Sequence, residues 1–302
     1  MTPPHHQNPT PLTILNDPLF EHHKIEVFIK RDDLNHPLIQ GNKWHKLKLN
    51  LIDAETQQKT QLLTFGGAYS NHIAATAAAA FERGWSSIGI IRGDELAHNH
   101  QAWSATLKQA QQHGMTFEFV DRQTYRLRHN QAWLSALQQR YPQAYMLPEG
   151  GSNELAVAGF ESVINELNDQ CADWTHLLCA VGTGGTLAGL AKFAQPQQQI
   201  WGIASLKNAQ YLREQIQDWM GSATTNWQLL TEYHGGGYAK TNADINANMA
   251  RFEQRFAIAL DPIYTAKIVS AFYQLTEQQT FAPGSKIILY HSGGLQGRQA
   301  NP

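Results

Sequence analysis

The chain has 302 residues, enough for about two domains and for a core that needs no disulfide or metal staples. The residues AVILMFWYC make up 42%, which is globular composition and argues against disorder. Lys and Arg number 23 against 25 Asp and Glu, a formal charge of -2. There is no basic footprint for nucleic acid and no polybasic patch for a membrane surface.

The polar, Pro-rich start MTPPHHQNPTP lacks the basic-then-apolar pattern of a secretory signal. The longest small-apolar stretch, Ile73 to Phe81, is too short to cross a bilayer. The expectation is a soluble, cytoplasmic protein. In chain order, QLLTF (61–65) reads as a strand, followed by the turn GGAYSN and a helix, HIAATAAAAFER, closed at Gly84. SSIGIIRG (86–93) is the next strand, SATLKQAQQHG (104–114) a helix and MTFEFV (115–120) a strand. ELAVAGFESVINELNDQ (154–170) has the apolar spacing of one helix. THLLCAV (175–181) is a strand running into GTGGT and the helix LAGLAKFA, and QIWGIAS (199–205) is another strand. NADINANMARFEQRFA (242–257) and TAKIVSAFYQLTEQ (265–278) are helices, and KIILYHS (286–292) is a last strand ending in Gly-Gly. Near-continuous apolar strands alternating with helices predict an α/β chain with two open, twisted, mainly parallel sheets flanked by helices.

In such folds ligands sit where strand ends meet helix starts. The segment VGTGGTLAGLA brings a buried strand to glycines, then to helix N–H groups beside the hydroxyls of Thr183 and Thr186. That is either a phosphate cup or a tight ligand-free turn. It is not a dinucleotide fingerprint, because Leu187 stands at the third glycine position and no acidic residue follows about 20 residues on. Nor is it a Walker loop, since no Gly-Lys-Ser/Thr follows. In GNKWHKLKLNLI (41–52), Lys43 falls in the first turn of a helix with Lys46 three residues on. Lys43 is either a solvated surface lysine or an amine kept partly neutral for nucleophilic or Schiff-base chemistry. In GGAYSNH (66–72), Ser70 and Asn71 either cap the helix or, with its first amides, grip a carboxylate.

Cys171 and Cys179 match neither a redox nor a zinc spacing and are expected to be buried free thiols. The 14 His are scattered, with adjacent pairs at His5/His6 and His22/His23 and no HxxxH or HExxH, so no metal site is expected.

GNKWHKLKLNL, GGAYSNHIAATAAAA, GGSNELAVAGF, VGTGGTLAGL, GGYAKTN, LDPIYTAK and YHSGGLQG occur in this order. Together they resemble the 1-aminocyclopropane-1-carboxylate deaminase/D-cysteine desulfhydrase family of pyridoxal-phosphate enzymes, from about Ile29 to about Gly297. The resemblance implies the tryptophan-synthase-β-like fold (fold type II), with a large cofactor-binding domain from 1–51 and 161–302, a small mobile domain over 52–160, and a homodimer. It implies pyridoxal 5'-phosphate held covalently by Lys43, which later moves the substrate Cα proton. Asn71 is similar to the residue that hydrogen-bonds the cofactor's phenolic oxygen. Gly182, Thr183, Gly184, Gly185 and Thr186 match the phosphate loop. Ser70 is similar to the serine at the substrate carboxylate, with His72 beside it. Tyr238 is similar to the tyrosine over the cofactor and substrate, and Ser292 to the partner of the pyridine nitrogen.

Ring-opening deaminases resemble one another in having Tyr-Glu-Gly at that last position, whereas this chain has His291-Ser292-Gly293-Gly294, close to the His-Thr-Gly-Gly of the desulfhydrase branch. A neutral hydroxyl cannot hold a pyridinium by charge and suits β-elimination with a good leaving group. The resemblance therefore implies a lyase acting on a small amino acid, with D-cysteine as the leading substrate. Cyclopropane ring opening and a cofactor-binding protein with little turnover are the alternatives. His45 stands where the family often has Arg, and His72 where deaminases often have Gln.

Overall fold

The computed structural model describes residues 9–221, 226–295 and 298. Gly297 and the pair His5/His6 lie outside the described residues. The strands are β1 (Leu12–Leu15), β2 (Glu26–Lys30), β3 (Gln61–Gly67), β4 (Ser86–Arg92), β5 (Met115–Val120), β6 (Ala144–Leu147), β7 (His176–Val181), β8 (Gln199–Ala204), β9 (Trp227–Leu230) and β10 (Lys286–Tyr290). Four of them form one sheet, ordered β5-β4-β3-β6, with every pairing parallel. The other six form a second sheet, ordered β1-β2-β10-β7-β8-β9, parallel except for the antiparallel edge pair β1–β2. The expected mainly parallel, two-sheet α/β fold is therefore present.

The helices are α1 (Pro18–His22), α2 (Asn42–Thr56), α3 (Asn71–Glu82), α4 (Ala105–Gln112), α5 (Arg122–Arg126), α6 (Gln131–Arg140), α7 (Glu154–Ala158), α8 (Glu161–Gln170), α9 (Gly185–Phe193), α10 (Leu212–Met220), α11 (Ala243–Phe256) and α12 (Thr265–Glu277). The strands of the larger sheet are buried on both faces. One face packs with α8, α9 and α10 through Phe160, Leu167, Leu187 and Ile216. The other packs with α11 and α12 through Phe252, Ile268 and Phe272. Helix α3 carries an almost all-Ala run packed against β3, β4, α2 and α4, and Ala74, Ala75 and Ala77–Ala80 are buried. Small side chains let the helix approach its neighbours closely, and burying their methyl groups still contributes at roughly 25 cal/mol per Å².

Two expectations are corrected. The single helix over 154–170 is two, α7 and α8, broken at Gly159-Phe160. A Cβ on Gly159 would lie 2.0 Å from the His45 carbonyl oxygen, so this close approach to α2, not any loss of apolar spacing, sets the break. The last strand ends at Tyr290, not at residue 292. Beyond it His291 turns inward: its Nε2 lies 2.8 Å from the Ala259 carbonyl, and its Nδ1 accepts the Gly293 N–H at 3.2 Å. Cys179 is buried as expected, and burial pushes its thiol up to about 12, whereas Cys171 is only half-buried. Among the described residues no group of three His, Cys, Asp or Glu is placed to hold a metal ion. No helix among them is long and apolar enough to cross a membrane.

Candidate active site

Three loops meet at the carboxyl ends of β3, β7 and β10, beside the first turn of α2. Gly41 has φ +64 and passes directly under the last loop. A Cβ there would lie 1.8 Å from the Ser292 carbonyl oxygen. The Asn42 N–H donates to that same oxygen at 3.3 Å. This contact seats Lys43, the next residue, beside Ser292 and Gly293. Among the described residues the Lys43 amine donates only to Asn42 Oδ1, at 3.2 Å. Burial pulls it down to about 8, against the opposing pull of the Asp261 carboxylate. A solvated surface lysine would not be displaced this way.

The loop after β3 supplies Ser70 and Asn71. Ser70 occupies the N-cap position of α3, yet its side chain makes no capping hydrogen bond. The capping alternative for Ser70 is thereby removed. Asn71 begins α3, and a Cβ on Gly294 would lie 2.7 Å from its Nδ2, so β3 and β10 deliver their loops to one point. The next residue, His72, is 1% exposed, with its Nε2 2.8 Å from Thr64 Oγ1. Burial, then Lys43 and Lys46, hold it well below its usual range, so it is neutral.

The loop after β7 is the predicted cup. Gly184, in the left-handed region at φ +89, caps α9, and the first N–H groups of that helix have no partner within it. A Cβ on Gly185 would lie 2.6 Å from Ser152 Oγ, which pairs at 2.6 Å with Thr183 Oγ1. The Asn42 amide donates to Thr186 Oγ1 at 2.9 Å, tying the cup to the Lys43 turn. The buried Lys46 amine donates to Ser152 Oγ at 2.8 Å and Gly150 O at 3.1 Å. Burial and then the neighbouring Lys43 hold Lys46 well below the usual lysine range. An anion in the cup would restore its charge.

Tyr238 closes the outer side. Its hydroxyl donates to the Tyr69 carbonyl at 3.3 Å, and its ring meets Tyr264 edge-on with centroids 6.5 Å apart. The candidate site residues named from the sequence, Lys43, Ser70, Asn71, His72, Gly182 to Thr186, Tyr238 and Ser292, lie on the loops and helix starts that meet here. Tyr264, Asp261, Ser152 and the cup role of Lys46 were not foreseen. Tyr264 and Asp261 stand inside LDPIYTAK, but only the fold shows that a Cβ on Gly182 would sit 3.5 Å from Tyr264 Cε1.

The residues fit a phosphorylated aldehyde. Ser70, Asn71 and Ser292 lie on the loops that meet here, and none of their side chains has a hydrogen-bond partner among the described residues. An anion cup stands at one end and a depressed-pKa amine at the other. The class this fold and site define is a cofactor-dependent enzyme with its site at a junction of parallel strands.

The chain belongs to the pyridoxal-phosphate dependent enzyme family, whose profile matches residues 4–293. It is 28% identical to a D-cysteine desulfhydrase of Klebsiella pneumoniae, over 95% of this chain and 92% of that protein. It is 27% identical to a bifunctional D-cysteine desulfhydrase/1-aminocyclopropane-1-carboxylate deaminase, mitochondrial, of Arabidopsis thaliana, over 90% of this chain and 73% of that protein. The crystal structure of an ACC deaminase homologue superposes with a TM-score of 0.79 at 25% identity, covering 95% of this chain and 90% of that one.

Proposed function

We propose that the chain is a lyase that converts D-cysteine to pyruvate, sulfide and ammonia. The observation that carries this reading is Ser292, a neutral hydroxyl without a hydrogen-bond partner among the described residues. It follows β10 where the resemblance puts the group facing the pyridine nitrogen. When bound, the cofactor supplies the electron sink for the charge left at Cα. A hydroxyl does not enforce a charged ring, so the sink is moderate and a good β leaving group is needed.

The chain's own residues then divide the work. Lys43 holds the cofactor and takes the Cα proton at Nζ, which its burial favours as a free amine. Ser70 and the first N–H groups of α3 hold the substrate carboxylate. Asn71 and Ser292 orient the ring, and Gly182 to Thr186 with Lys46 hold the phosphate. His72, neutral and tied to Thr64, backs Ser70 as part of the substrate wall. Tyr238 and Tyr264 cover the reacting carbon. The Cα–H and Cβ–S bonds break, sulfur leaves as sulfide, and water hydrolyses the released enamine to pyruvate and ammonia.

The small-domain assignment (52–160), its closure over the substrate, the homodimer and the cytoplasmic location belong to the same proposal. The four-stranded sheet supports the first of these, because its strands all fall between Gln61 and Leu147. Ring opening of 1-aminocyclopropane-1-carboxylate is the second reading, favoured by the double name of the Arabidopsis relative.

Purified protein decides between them. Sulfide and pyruvate are expected from D-cysteine but not from L-cysteine, together with a visible cofactor band that Lys43→Ala abolishes. Production of 2-oxobutyrate from the cyclopropane substrate without sulfide release would replace the first reading by the second. Absence of turnover with any β-substituted amino acid would leave a binding protein.

A further inference from the structure

The turn that delivers Lys43 is held by a side chain to which the functional reading gives no task. Asn35 follows the single helical turn Asp32–Leu34 and is 1% exposed. Its amide meets Gly41 on both sides. The Gly41 N–H donates to Asn35 Oδ1 at 2.9 Å, and Asn35 Nδ2 donates to the Gly41 carbonyl at 3.0 Å. One planar amide thus takes both polar groups of one residue, as a residue directly opposite in an antiparallel pair does.

Gly41 is where such a hold matters. It sits at φ +64 and ψ −139, and the freedom that lets glycine enter that conformation also lets it leave. The next two residues carry the site. The Asn42 N–H donates to the Ser292 carbonyl at 3.3 Å, the Asn42 side chain donates to Thr186 Oγ1 at 2.9 Å, and Lys43 comes directly after. The place of the Lys43 amine relative to the last loop and the cup is therefore set through the two torsions of one glycine.

Hydrogen-bond pairing alone does not require Asn35. Without it the Gly41 N–H keeps the Asp32 carbonyl at 3.0 Å, and the Gly41 carbonyl keeps the Trp44 N–H at 3.1 Å. The amide adds restraint to groups already paired. It also stands on a firm base. The Asn35 N–H donates to the Asp32 carbonyl at 3.1 Å. The Asp32 carboxylate accepts Tyr290 OH at 2.5 Å and Thr10 Oγ1 at 2.7 Å, and lies 2.9 Å from His45 Nε2. Tyr290 ends β10, two residues before Ser292, and His45 follows Lys43 by two on α2. Asn35 is thus tied to both of the elements it aligns.

We infer that Asn35 is a positioning residue for the reactive amine: by holding Gly41 at its N–H and its carbonyl together, it keeps Lys43 in line with Ser292 and the cup. The inference rests on the functional reading for the reactivity of Lys43 and adds to it the residue that fixes where that amine stands.

Two variants separate restraint from the filling of space. Asn35→Ala removes both bonds. Asn35→Asp keeps the size and the acceptor but sets an oxygen against the Gly41 carbonyl where the donor stood. In the cofactor-stripped full chain, hydrogen exchange of the Gly41 and Asn42 amides is expected to be at least about 10-fold faster in Asn35→Ala. In the loaded protein, kcat for sulfide release from D-cysteine is expected to fall at least about 10-fold in both variants with KM within about 2-fold, because what is lost is alignment and not a substrate contact. Asn226→Ala is the control. Asn226 is 5% exposed and donates to the Gln195 and Gln198 carbonyls at 3.1 and 3.0 Å, far along the chain from the site. It is expected to lose stability while keeping the parent kcat and the parent exchange at Gly41. Parent exchange at Gly41 and Asn42 in Asn35→Ala overturns the inference, and so does the parent kcat in a folded Asn35→Asp, which would leave Asn35 a filler of space. Should Asn35→Asp not fold, the kcat of Asn35→Ala decides in its place. Failure of the functional reading is separate: it appears as no sulfide from the parent protein, while amide exchange still tests Asn35.

Discussion

Gly41→Ala tests the joint between the last loop and the reactive lysine. The native residue has φ +64 and ψ −139, a conformation that costs an alanine about 1–3 kcal/mol. The added Cβ would lie 1.8 Å from the Ser292 carbonyl oxygen and 2.6 Å from the Gly293 nitrogen, both backbone atoms that cannot rotate away. Reaching 3.0 Å, the closest approach real Cβ atoms show, requires the two backbones to part by more than 1 Å. Strain and separation together give an expected loss of about 3–5 kcal/mol. Because Lys43 follows two residues later, the same displacement moves its amine relative to the ring-facing residues. A misplacement of about 1 Å costs on the order of 10²-fold in rate. Denaturant unfolding gives the first quantity, and sulfide release, measured where the variant is still folded, gives the second. Gly84→Ala is the control, since its φ of +66 carries similar backbone strain but nothing lies within 4 Å of the new methyl. Its expected cost is about 1–2 kcal/mol with full activity. If Gly41→Ala and Gly84→Ala lost the same stability, and the first kept its rate, the argument from contact at Ser292 would be wrong.

Lys43→Met is expected to stabilise the cofactor-free chain. The lysine is held near 8 in the fold against an ordinary 10.5, so charging it below pH 8 opposes folding. After a discount for partial exposure the gain is about 1–3 kcal/mol at pH 7, fading between pH 8 and 10.5 as the unfolded chain also loses its proton. Thermal melts across that range check it, and a constant difference would refute it. Gly185→Ala, whose methyl would lie 2.6 Å from Ser152 Oγ, is expected to weaken cofactor binding at least about 10-fold by opening the cup, as read by equilibrium titration of the visible band. Asp32→Ala removes the acceptor of Tyr290 OH at 2.5 Å and His45 Nε2 at 2.9 Å. It strips the Tyr290 hydroxyl of its partner and leaves Thr10 Oγ1, which donates to Asp32 Oδ1 at 2.7 Å, and His45 Nε2 with only 3.4 Å contacts to Glu166 and Asn35, and should cost about 2–4 kcal/mol in denaturant unfolding.

What could be read in the sequence is what short-range chemistry forces. The turns at Gly66 and Gly182 announce themselves because strand, glycine and helix start are adjacent in the chain, and Gly293 because a glycine pair follows shortly after an apolar strand. Lys43 was legible as a first-turn cation before a helix lacking an acidic first turn. What escaped depends on contacts between distant segments. The break between α7 and α8 exists because Gly159 must meet the His45 carbonyl, 114 positions away. Asp261 and Tyr264 have no local signature. The first is a turn-former like many others until Gly294 lies beside it, and the second is an ordinary aromatic until Gly182 does. Strands β1 (LTIL) and β2 (EVFIK) were missed because each is short and interrupted or bounded by polar residues, with no glycine turn and helix start after it, unlike the longer apolar run of β7.

The order of the larger sheet has an implication for how the molecule is made. Its final strand, β10, lies in the middle, paired to β2 from near the start of the chain and to β7 from the latter half. The ribosome therefore releases the wedge that joins both halves of the sheet only after the strands on either side of it. Until then β2 and β7 present bare edges, and Gly41 has no Ser292 carbonyl to rest against. The four-stranded sheet, complete once Leu147 has emerged, needs nothing from that wedge for its own pairing. A chain stopped short of Lys286 would therefore carry a finished outer layer on an unjoined base, with the turn before the reactive amine lacking its contact to the Ser292 carbonyl.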